Sequence, residues 1–361
     1  TVHTPLDIRI FQKEAKALVQ EGYDVSLIAQ HERDEIVGGV KIIAIPKSKN
    51  RFTRFFGLTW KAFYNAFRQK ADVYHFHDPE LIPCGVLLKI LNKGRVVYDV
   101  HEDLPKQIFN KYWIPGGLRK LVAWCSQLAE AIGAFFFDRI VAATPKIAER
   151  FPTGKTVVVQ NYPRLDELVM ENTIPYKQRP PYVVYVGGIS RARGIEEMVE
   201  AVGLLPEKLK VRLVLAGSFS PAALEKELKQ RPEWRQVDFW GWQSREGIKK
   251  ILSEARIGLV ILHPTPNYLD SYPTKMFEYM STGIPVVASD FPLWRKIVEK
   301  TGCGLLVDPL KPEEIAQAIQ WLLENPDEAQ AMGERGREAV HSQYNWSIEE
   351  KKLLQMYKEL L

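Results

Sequence analysis

Short runs of β-branched and aromatic residues alternate along this chain with stretches in which apolar side chains recur every three or four positions. "YDVSLIAQ" (23–30), "DVYHFH" (72–77), "RVVYDVH" (95–101), "RIVAAT" (139–144) and "TVVVQN" (156–161) read as strands. "FQKEAKALVQEG" (11–22) and "PELIPCGVLLKILNKG" (79–94) read as helices between them. The rhythm breaks at 162–181, where "YPRLDELVMENTIPYKQRPP" brings prolines and charge. It resumes with "YVVYVGG" (182–188), "VRLVLAGS" (211–218), "QVDFWGW" (236–242), "IGLVIL" (257–262), "IPVVASD" (284–290) and "GLLVD" (304–308). Apolar strands separated by helical crossovers predict parallel sheets covered on both faces. The expectation is an α/β chain of two doubly wound, Rossmann-like domains, 1–163 and 182–343, joined by a linker at 164–181. Ligands of such sheets bind beyond the carboxyl ends of the strands, so a cleft between the two domains is the expected site.

The bulk numbers fit that picture. A length of 361 residues favours two domains over one. Apolar residues make up 46% and charged residues 26%, enough for real cores in a soluble protein. A net charge of +5 is mild, so its distribution matters more than its total. Cys84, Cys125 and Cys303 show no CxxC spacing, which argues against a disulfide framework or a zinc site and for a reducing compartment. "AIGAFFF" falls far short of a membrane span. The chain opens on "TVHTPLDIRIF" without an initiator Met, and a first strand is expected ahead of it.

Three stretches carry candidate chemistry. "YVVYVGGISRARGIEEMVEAV" is strand, glycine turn, helix: Gly187 and Gly188 let a backbone approach a ligand closely, and Arg191 and Arg193 add positive charge suited to a diphosphate. It is neither GxGxxG nor a Walker loop, and a tight turn with two solvated arginines is the alternative. "DSYPTKMFEYMSTGIPVVASD" (270–290) sets Lys275 and Glu278 on a short helix between two buried strands, started by Pro273 and stopped by Gly283. Its start offers backbone N–H groups to an anion; a solvated ion pair on a surface turn is the alternative. "HFHDPE" places His75, His77, Asp78 and Glu80 at a strand end, but Asp-Pro-Glu is an ordinary helix start, so no metal is expected there. No Asp-x-Asp occurs in the chain. His101 and Glu102 end the next strand, and a hydrogen-bonded core histidine is the alternative for His101.

Taken together, "SYPTKMFEYMSTGIPVVASD", "YVGGISRARGIEEMVEA", "VDFWGWQSREGIKKIL", "VYHFHDPELI", "VVYDVHED" and "PLDIRIFQKEAKAL" resemble glycosyltransferase family 4, the retaining, metal-independent transferases of GT-B fold. The resemblance covers essentially the whole chain. It implies two Rossmann-like domains facing across a cleft, an amino-terminal one for the acceptor and a carboxyl-terminal one for a nucleotide sugar, UDP- or GDP-linked, with no cofactor and no metal. "YNWSIEEKKLLQMYKELL" (344–361) resembles the family's final helix, which crosses back to the first domain. The resemblance assigns Glu278 to the ribose hydroxyls, Tyr272, Pro273 and Thr274 to the diphosphate or sugar, and Trp240, Gly241 and Trp242 to the base loop, with core packing as the alternative for the two tryptophans. Gly187, Gly188, Arg191, Arg193 and Lys275 complete the donor site. Asp270, His101 and Arg193 become the catalytic candidates. Asp7, Arg9, His77 and Glu102 fall on the acceptor side. Asp270 stands where the family motif has its first Glu, and Gly188 and Arg193 stand where the family often has Arg and Lys. Leaving-group charge would be met by Arg193, Arg191 and helix N-termini, and no general base is assigned. A GT-B sugar-nucleotide epimerase and a non-catalytic sugar-nucleotide binder stay open as rivals.

Residues 41–70 hold eight Lys or Arg and no acid, with Phe56, Trp60, Phe63 and Phe67 on one helical face and Arg54, Lys61 and Arg68 beside them. Residues 104–129 repeat the flavour with Lys106, Lys111, Arg119, Lys120, Trp113 and Trp124. Such segments suit an anionic membrane surface, with ordinary helix packing as the alternative. Nothing else supports nucleic acid. The expectation is a cytoplasmic enzyme that could sit peripherally at the inner face of the membrane and act on a lipid-linked or cell-surface glycan.

Overall fold

The computed structural model describes residues 1–2, 5–47, 57–92, 94–110, 114–165, 167–168 and 174–361. The chain divides into two compact units: unit 1 is Thr1–Asn161 with Trp346–Leu361, and unit 2 is Tyr162–Asn345.

Unit 1 carries its strands in two sheets. β1 (Ser26–Gln30) pairs in parallel with β3 (Val40–Ile45), and β2 (Glu35–Val37) pairs antiparallel on β3. β4 (Val73–Phe76), β5 (Arg95–Val100), β6 (Arg139–Ala142) and β7 (Thr156–Val158) form a second, all-parallel sheet in that order. The doubly wound sheet expected for this half is therefore interrupted: β1 and β4 form no ladder, and both line a cavity of about 450 Å³. Its helices are α1 (Lys16–Gln20), entered through a wide-pitched turn at Ile8–Ala15, α2 (Thr59–Gln69), α3 (Ile82–Leu91), α4 (Leu104–Asn110), α5 (Gly116–Phe136) and α6 (Pro145–Ala148). Ala62, Phe63, Ile82, Leu88 and Ala134 bring α2, α3 and α5 into one core with Phe76 and Tyr98. The carboxyl-terminal helix Trp346–Leu360 packs Trp346, Leu353, Met356 and Tyr357 on Val97, Val141 and Val159.

Unit 2 is one parallel sheet of six strands in the order β10-β9-β8-β11-β12-β13: β8 (Tyr182–Val186), β9 (Arg212–Ala216), β10 (Val237–Gly241), β11 (Ile257–Val260), β12 (Val286–Ser289) and β13 (Gly304–Val307). Alternate residues go to opposite faces. Val183, Tyr185, Leu213, Leu215, Ile257 and Leu259 enter one core, and Val184, Val186, Val214, Ala216, Val260 and Val286 the other. Burial on both faces explains why these strands read as continuous apolar runs. The helices are α7 (Ile195–Gly203), α8 (Ala223–Lys229), α9 (Arg245–Glu254), α10 (Pro266–Leu269), α11 (Thr274–Ser281), α12 (Pro292–Thr301), α13 (Pro312–Glu324) and α14 (Pro326–Ser342). The stretch expected as a linker belongs to this unit: Leu168 and Tyr176 are buried in its two cores, one on each face of the sheet.

Candidate functional site

Three neighbouring strands of unit 2 each end on a glycine with positive φ: Gly187 after β8 (+125°), Gly217 after β9 (+155°) and Gly241 at the end of β10 (+65°). They sit side by side, Gly187 N–H donating to Ala216 O at 2.8 Å and Gly217 N–H to Gly241 O at 2.7 Å. A Cβ on Gly217 would stand 1.8 Å from Gly187 O, so only glycine lets these turns lie this close. Two cations come over this glycine bed. Lys275 Nζ lies 3.2 Å from where a Cβ on Gly187 would be, and Arg193 Nη1 3.0 Å from where one on Gly188 would be. Arg193 Nη1 also donates to Gly188 O at 3.2 Å, and Lys275 Nζ stands 5.0 Å over the Tyr185 ring. Burial, and then the Arg193 charge, pull the Lys275 ammonium down to about 8.

α11 holds Lys275 and, one turn on, Glu278 toward the same place. Pro273 precedes its first residue, Thr274, and no side chain caps that end. Tyr279 pins the helix to β8, its hydroxyl accepting from Val186 N–H at 3.0 Å while its ring fills the space left by Gly258. Glu278 Oε1 accepts from Arg245 Nη1 at 3.0 Å, and Arg245 Nε donates to Glu167 Oε1 at 2.6 Å. Glu278 is thus aimed by an arginine that is itself held from the other side.

Unit 1 holds a second polar cluster. Asp7 caps the turn at Ile8–Ala15, accepting from Arg9 N–H at 2.9 Å and Ile10 N–H at 3.0 Å. The buried Arg9 guanidinium reaches Asp99 with Nη2 (2.9 and 3.1 Å), Glu14 with Nε (2.8 Å) and Val159 O with Nη1 (2.9 Å). His77 Nε2 pairs with Glu14 Oε2 at 2.7 Å, and the rings of His75, His77 and His101 stack at 4.7 and 5.2 Å. Burial opposes the Asp99 charge, but Arg9 and the neighbouring histidines together outweigh it and hold Asp99 well below the usual carboxylate range. Burial and the Asp99 charge push Glu14 up. Burial takes His101 down to about 4, so it is neutral at pH 7. Glu14, His75, His77 and Asp99 bring one ligand atom each within 4.8 Å of one another, a spacing a metal could use. The Arg9 guanidinium pairs with both carboxylates of this group, Glu14 at 2.8 Å and Asp99 at 2.9 Å.

Of the residues singled out in the sequence, the structure brings Gly187, Gly188, Arg193, Lys275 and Glu278 to one place. Arg191 turns away instead, pairing with Glu196 at 3.1 Å and with Glu227. Asp270 closes α10, ahead of Tyr272, whose ring meets those of Tyr162 and Phe277. Trp242, beside Gly241, is 76% exposed and Trp240 is 40% exposed, so neither is core. His101, Asp7, Arg9 and His77 belong to the unit 1 cluster, and Glu102 lies exposed beside it, accepting from Gln107. Asp78 does not cap its helix with its side chain: it accepts from Thr1 Oγ1 at 2.8 Å and Val2 N–H at 2.7 Å. The aromatic stripe expected on α2 is not one exposed face. Phe63 turns into the core, Trp60 and Phe67 stay outside, and Arg54, Phe56, Lys111 and Trp113 lie outside the described residues. Arg245, Glu167, Glu14 and Asp99 stand in no local pattern that marks them: Arg245 meets Glu278 and Glu167 across 33 and 78 positions, Glu14 meets His77 across 63, and Asp99 meets Arg9 across 90.

Comparison with known proteins agrees with the resemblance read from the motifs. Residues 166–339 match the family model described as glycosyl transferases group 1, and residues 9–161 match that of glycosyltransferase family 4. The chain is 30% identical over 183 residues, half its length, to an α-D-kanosaminyltransferase of Streptomyces kanamyceticus, and the match spans 46% of that relative. Among solved structures it is similar to sucrose-phosphate synthase from Thermosynechococcus elongatus, with a TM-score of 0.77 and 20% identity over 96% of this chain and 91% of the other. It is also similar to Anabaena HepE in complex with UDP and glucose, with a TM-score of 0.73 and 13% identity over 96% and 94%. These likenesses give a GT-B fold.

Proposed function

We propose that this chain, which belongs to the glycosyl transferases of group 1 and family 4, moves a sugar from a nucleoside diphosphate to a glycan acceptor, with retention of configuration and without a metal ion. The observation that carries the donor reading is the pair of cations over the glycine bed. Lys275 and Arg193 stand where a diphosphate would meet exposed backbone at the ends of β8 and β9. Two fixed positive groups there would stabilise the charge that develops on the departing diphosphate, the work a metal does at other phosphate sites. Glu278, set by Arg245, would accept from the ribose hydroxyls. The UDP seen in the similar HepE structure favours the same donor chemistry. Retention follows from the family resemblance, and a lipid-linked or cell-surface acceptor from the basic and aromatic segments at 41–70 and 104–129. The acceptor side is assigned to unit 1, with Asp7, Arg9, His77 and Glu102 at its polar cluster and His101 and Asp270 as further catalytic candidates.

Melting curves with UDP, GDP, ADP and dTDP, each with and without magnesium or chelator, test the donor reading. One diphosphate raises the melting temperature, because a ligand at 100 times its Kd stabilises by about 2.7 kcal/mol, and chelator leaves the rise intact. Glu278→Gln lowers nucleotide affinity roughly tenfold or more, from loss of a charge-assisted bond of ~1.5–3 kcal/mol. No shift with any nucleotide, or a shift that needs magnesium, overturns the corresponding half of the proposal.

A further inference from the structure

α5 is built inside out. Its inward side carries small residues: Ala123, Gly133 and Ala134 are buried, and a Cβ on Gly133 would meet the Phe137 ring at 2.7 Å and Ile82 at 3.1 Å. Its large apolar residues point the other way. Leu118, Leu121, Trp124, Leu128, Ile132 and Phe135, spaced three or four apart, are 44–78% exposed. An ordinary surface helix does the opposite, and an apolar patch of this size on a soluble surface marks an interaction site. The patch continues sideways. α5 packs beside α3, and α3 beside α2, as one helical layer. Ile90 and Leu91 of α3 and Trp60 of α2 are each about 60% exposed on it.

The charge around this face selects its partner. Helices α2 to α5 carry Lys61, Arg68, Lys89, Lys106, Arg119 and Lys120 against a single acid, Glu130, which is buried and paired with Arg150. Nearby acids are neutralised in place: Asp138 by Lys89 at 2.7 Å, Asp103 by Arg150 at 3.1 Å. A face of leucine, isoleucine, phenylalanine and tryptophan accompanied by Lys61, Arg68, Arg119 and Lys120 is complementary to a bilayer bearing anionic headgroups. No described helix is long and apolar enough to cross a membrane, and α5 cannot leave the core that its inner side seals. Its 21 residues, ~30 Å of helix, would lie in the plane of the interface.

We propose that the outer face of α5, extended by α3 and α2, docks this protein onto an anionic lipid surface. Of the two segments expected from the sequence, the α2 stripe contributes only in part, since its Phe63 is core, and the 104–129 segment contributes through α5. The inference does not depend on the donor chemistry.

Flotation of the full chain with phosphatidylglycerol-containing and pure phosphatidylcholine vesicles, without nucleotide, tests it. The protein floats with the anionic vesicles and is released at high salt. Lys120→Glu weakens binding at least fivefold, in line with the worth of one basic residue at such a surface. The double variant Leu128→Glu with Ile132→Glu abolishes binding with an unchanged melting curve, because both side chains are already in water. Brominated phosphatidylglycerol quenches the tryptophan emission of the wild type, and Trp124→Phe loses the largest share of that quenching, which keeps the test decisive if the double variant misfolds. The proposal fails if the wild type does not float with anionic vesicles, if the double variant folds and floats like wild type, or if Trp124→Phe leaves the quenching unaltered. It fails equally if the lipid-free wild type sediments as a dimer that the double variant turns into a monomer, since a second copy would then be what covers the face. None of these outcomes bears on nucleotide binding.

Discussion

At Lys275 the ordinary protonation of a lysine is undone by where its ammonium sits, against Gly187 and the Tyr185 ring with Arg193 next to it. In the unfolded chain this group titrates near 10.5, and in the folded protein near 8. Between those values the unfolded state holds a proton that the folded state has released. The lysine therefore costs stability below about pH 8, and that cost fades as pH rises toward 10.5. An anionic diphosphate reverses the balance by favouring the charged form. Nucleotide binding at pH 8.5–9 should then take up a proton, with affinity falling as pH rises past 8. Titration calorimetry in two buffers of different ionisation heat reads the uptake directly, and Lys275→Met should remove it. Equal uptake in that variant would place the titrating group elsewhere. Residues of this kind were partly legible in the sequence. Lys275, Glu278 and Arg193 stand in short motifs whose spacing implies a ligand, whereas Arg245 and Glu167 reach Glu278 only because distant segments fold together. Arg191 shows the converse: next to Arg193 in an equally suggestive motif, it pairs with Glu196 and Glu227, which sequence proximity does not reveal.

At the scale of elements, the position of α11 depends on how closely α14 can approach it. Gly333 of α14 sits where a Cβ would come within 2.1 Å of Gly283 O, at the turn that ends α11. Gly333→Ala must force the two apart, at a cost of about 1–3 kcal/mol. For a unit of this size that is ~2–4 °C of melting temperature per kcal/mol. Because α11 carries Lys275 and Glu278, nucleotide affinity should fall together with the melting temperature. Gly154→Ala, with open space around its Cβ, should change neither. A Gly333→Ala protein that melts lower but binds nucleotide normally would separate α14 from the site. The elements of unit 2 were the most legible part of the chain, because strands buried on both faces leave unbroken apolar runs such as Val183–Val186. Unit 1 was read less well. Its helix-like stretch at 11–22 begins earlier, at Ile8, because Asp7 caps it. On α5 the sequence marked Arg119, Lys120 and Trp124 as part of a surface segment, but not Leu118, Leu121, Leu128, Ile132 and Phe135, since a helix with small residues inside and large ones outside looks, in sequence, merely apolar. Phe63 and Trp60 lie three apart on α2 yet end in core and solvent.

For the whole molecule, the telling feature is that unit 1 is made from both ends of the chain, with the carboxyl-terminal helix returning to it. That helix covers Val97, Val141 and Val159 with Trp346, Leu353, Met356, Tyr357 and Leu360. At ~1.5–3 kcal/mol for each large buried apolar side chain, its removal costs on the order of 10 kcal/mol, comparable with the whole stability of a typical domain. A chain ending at Asn345 should therefore lose protection from hydrogen exchange throughout unit 1. It should keep protection across β8–β13 and still bind nucleotide. Protection of β4–β7 equal to wild type would show that the helix is dispensable. The sequence implied this crossing only through the family resemblance, because an amphipathic final helix does not name the surface it packs on.

The same arrangement fixes an order of assembly during synthesis. β1 to β7 leave the ribosome ahead of unit 2, but the helix that seals them is encoded after it. Residues 162–345 must be made in between, ~10–40 s at ordinary elongation rates. Throughout that interval the nascent first unit keeps the bed of Val97, Val141 and Val159 uncovered, while the second, whose strands and covering helices are contiguous in the message, can already close. The half of the molecule translated first is thus the half completed last. In the cell its vulnerable period is a matter of translation speed and of whatever holds nascent chains, and a pause ahead of the codons for Trp346–Leu360 would lengthen it.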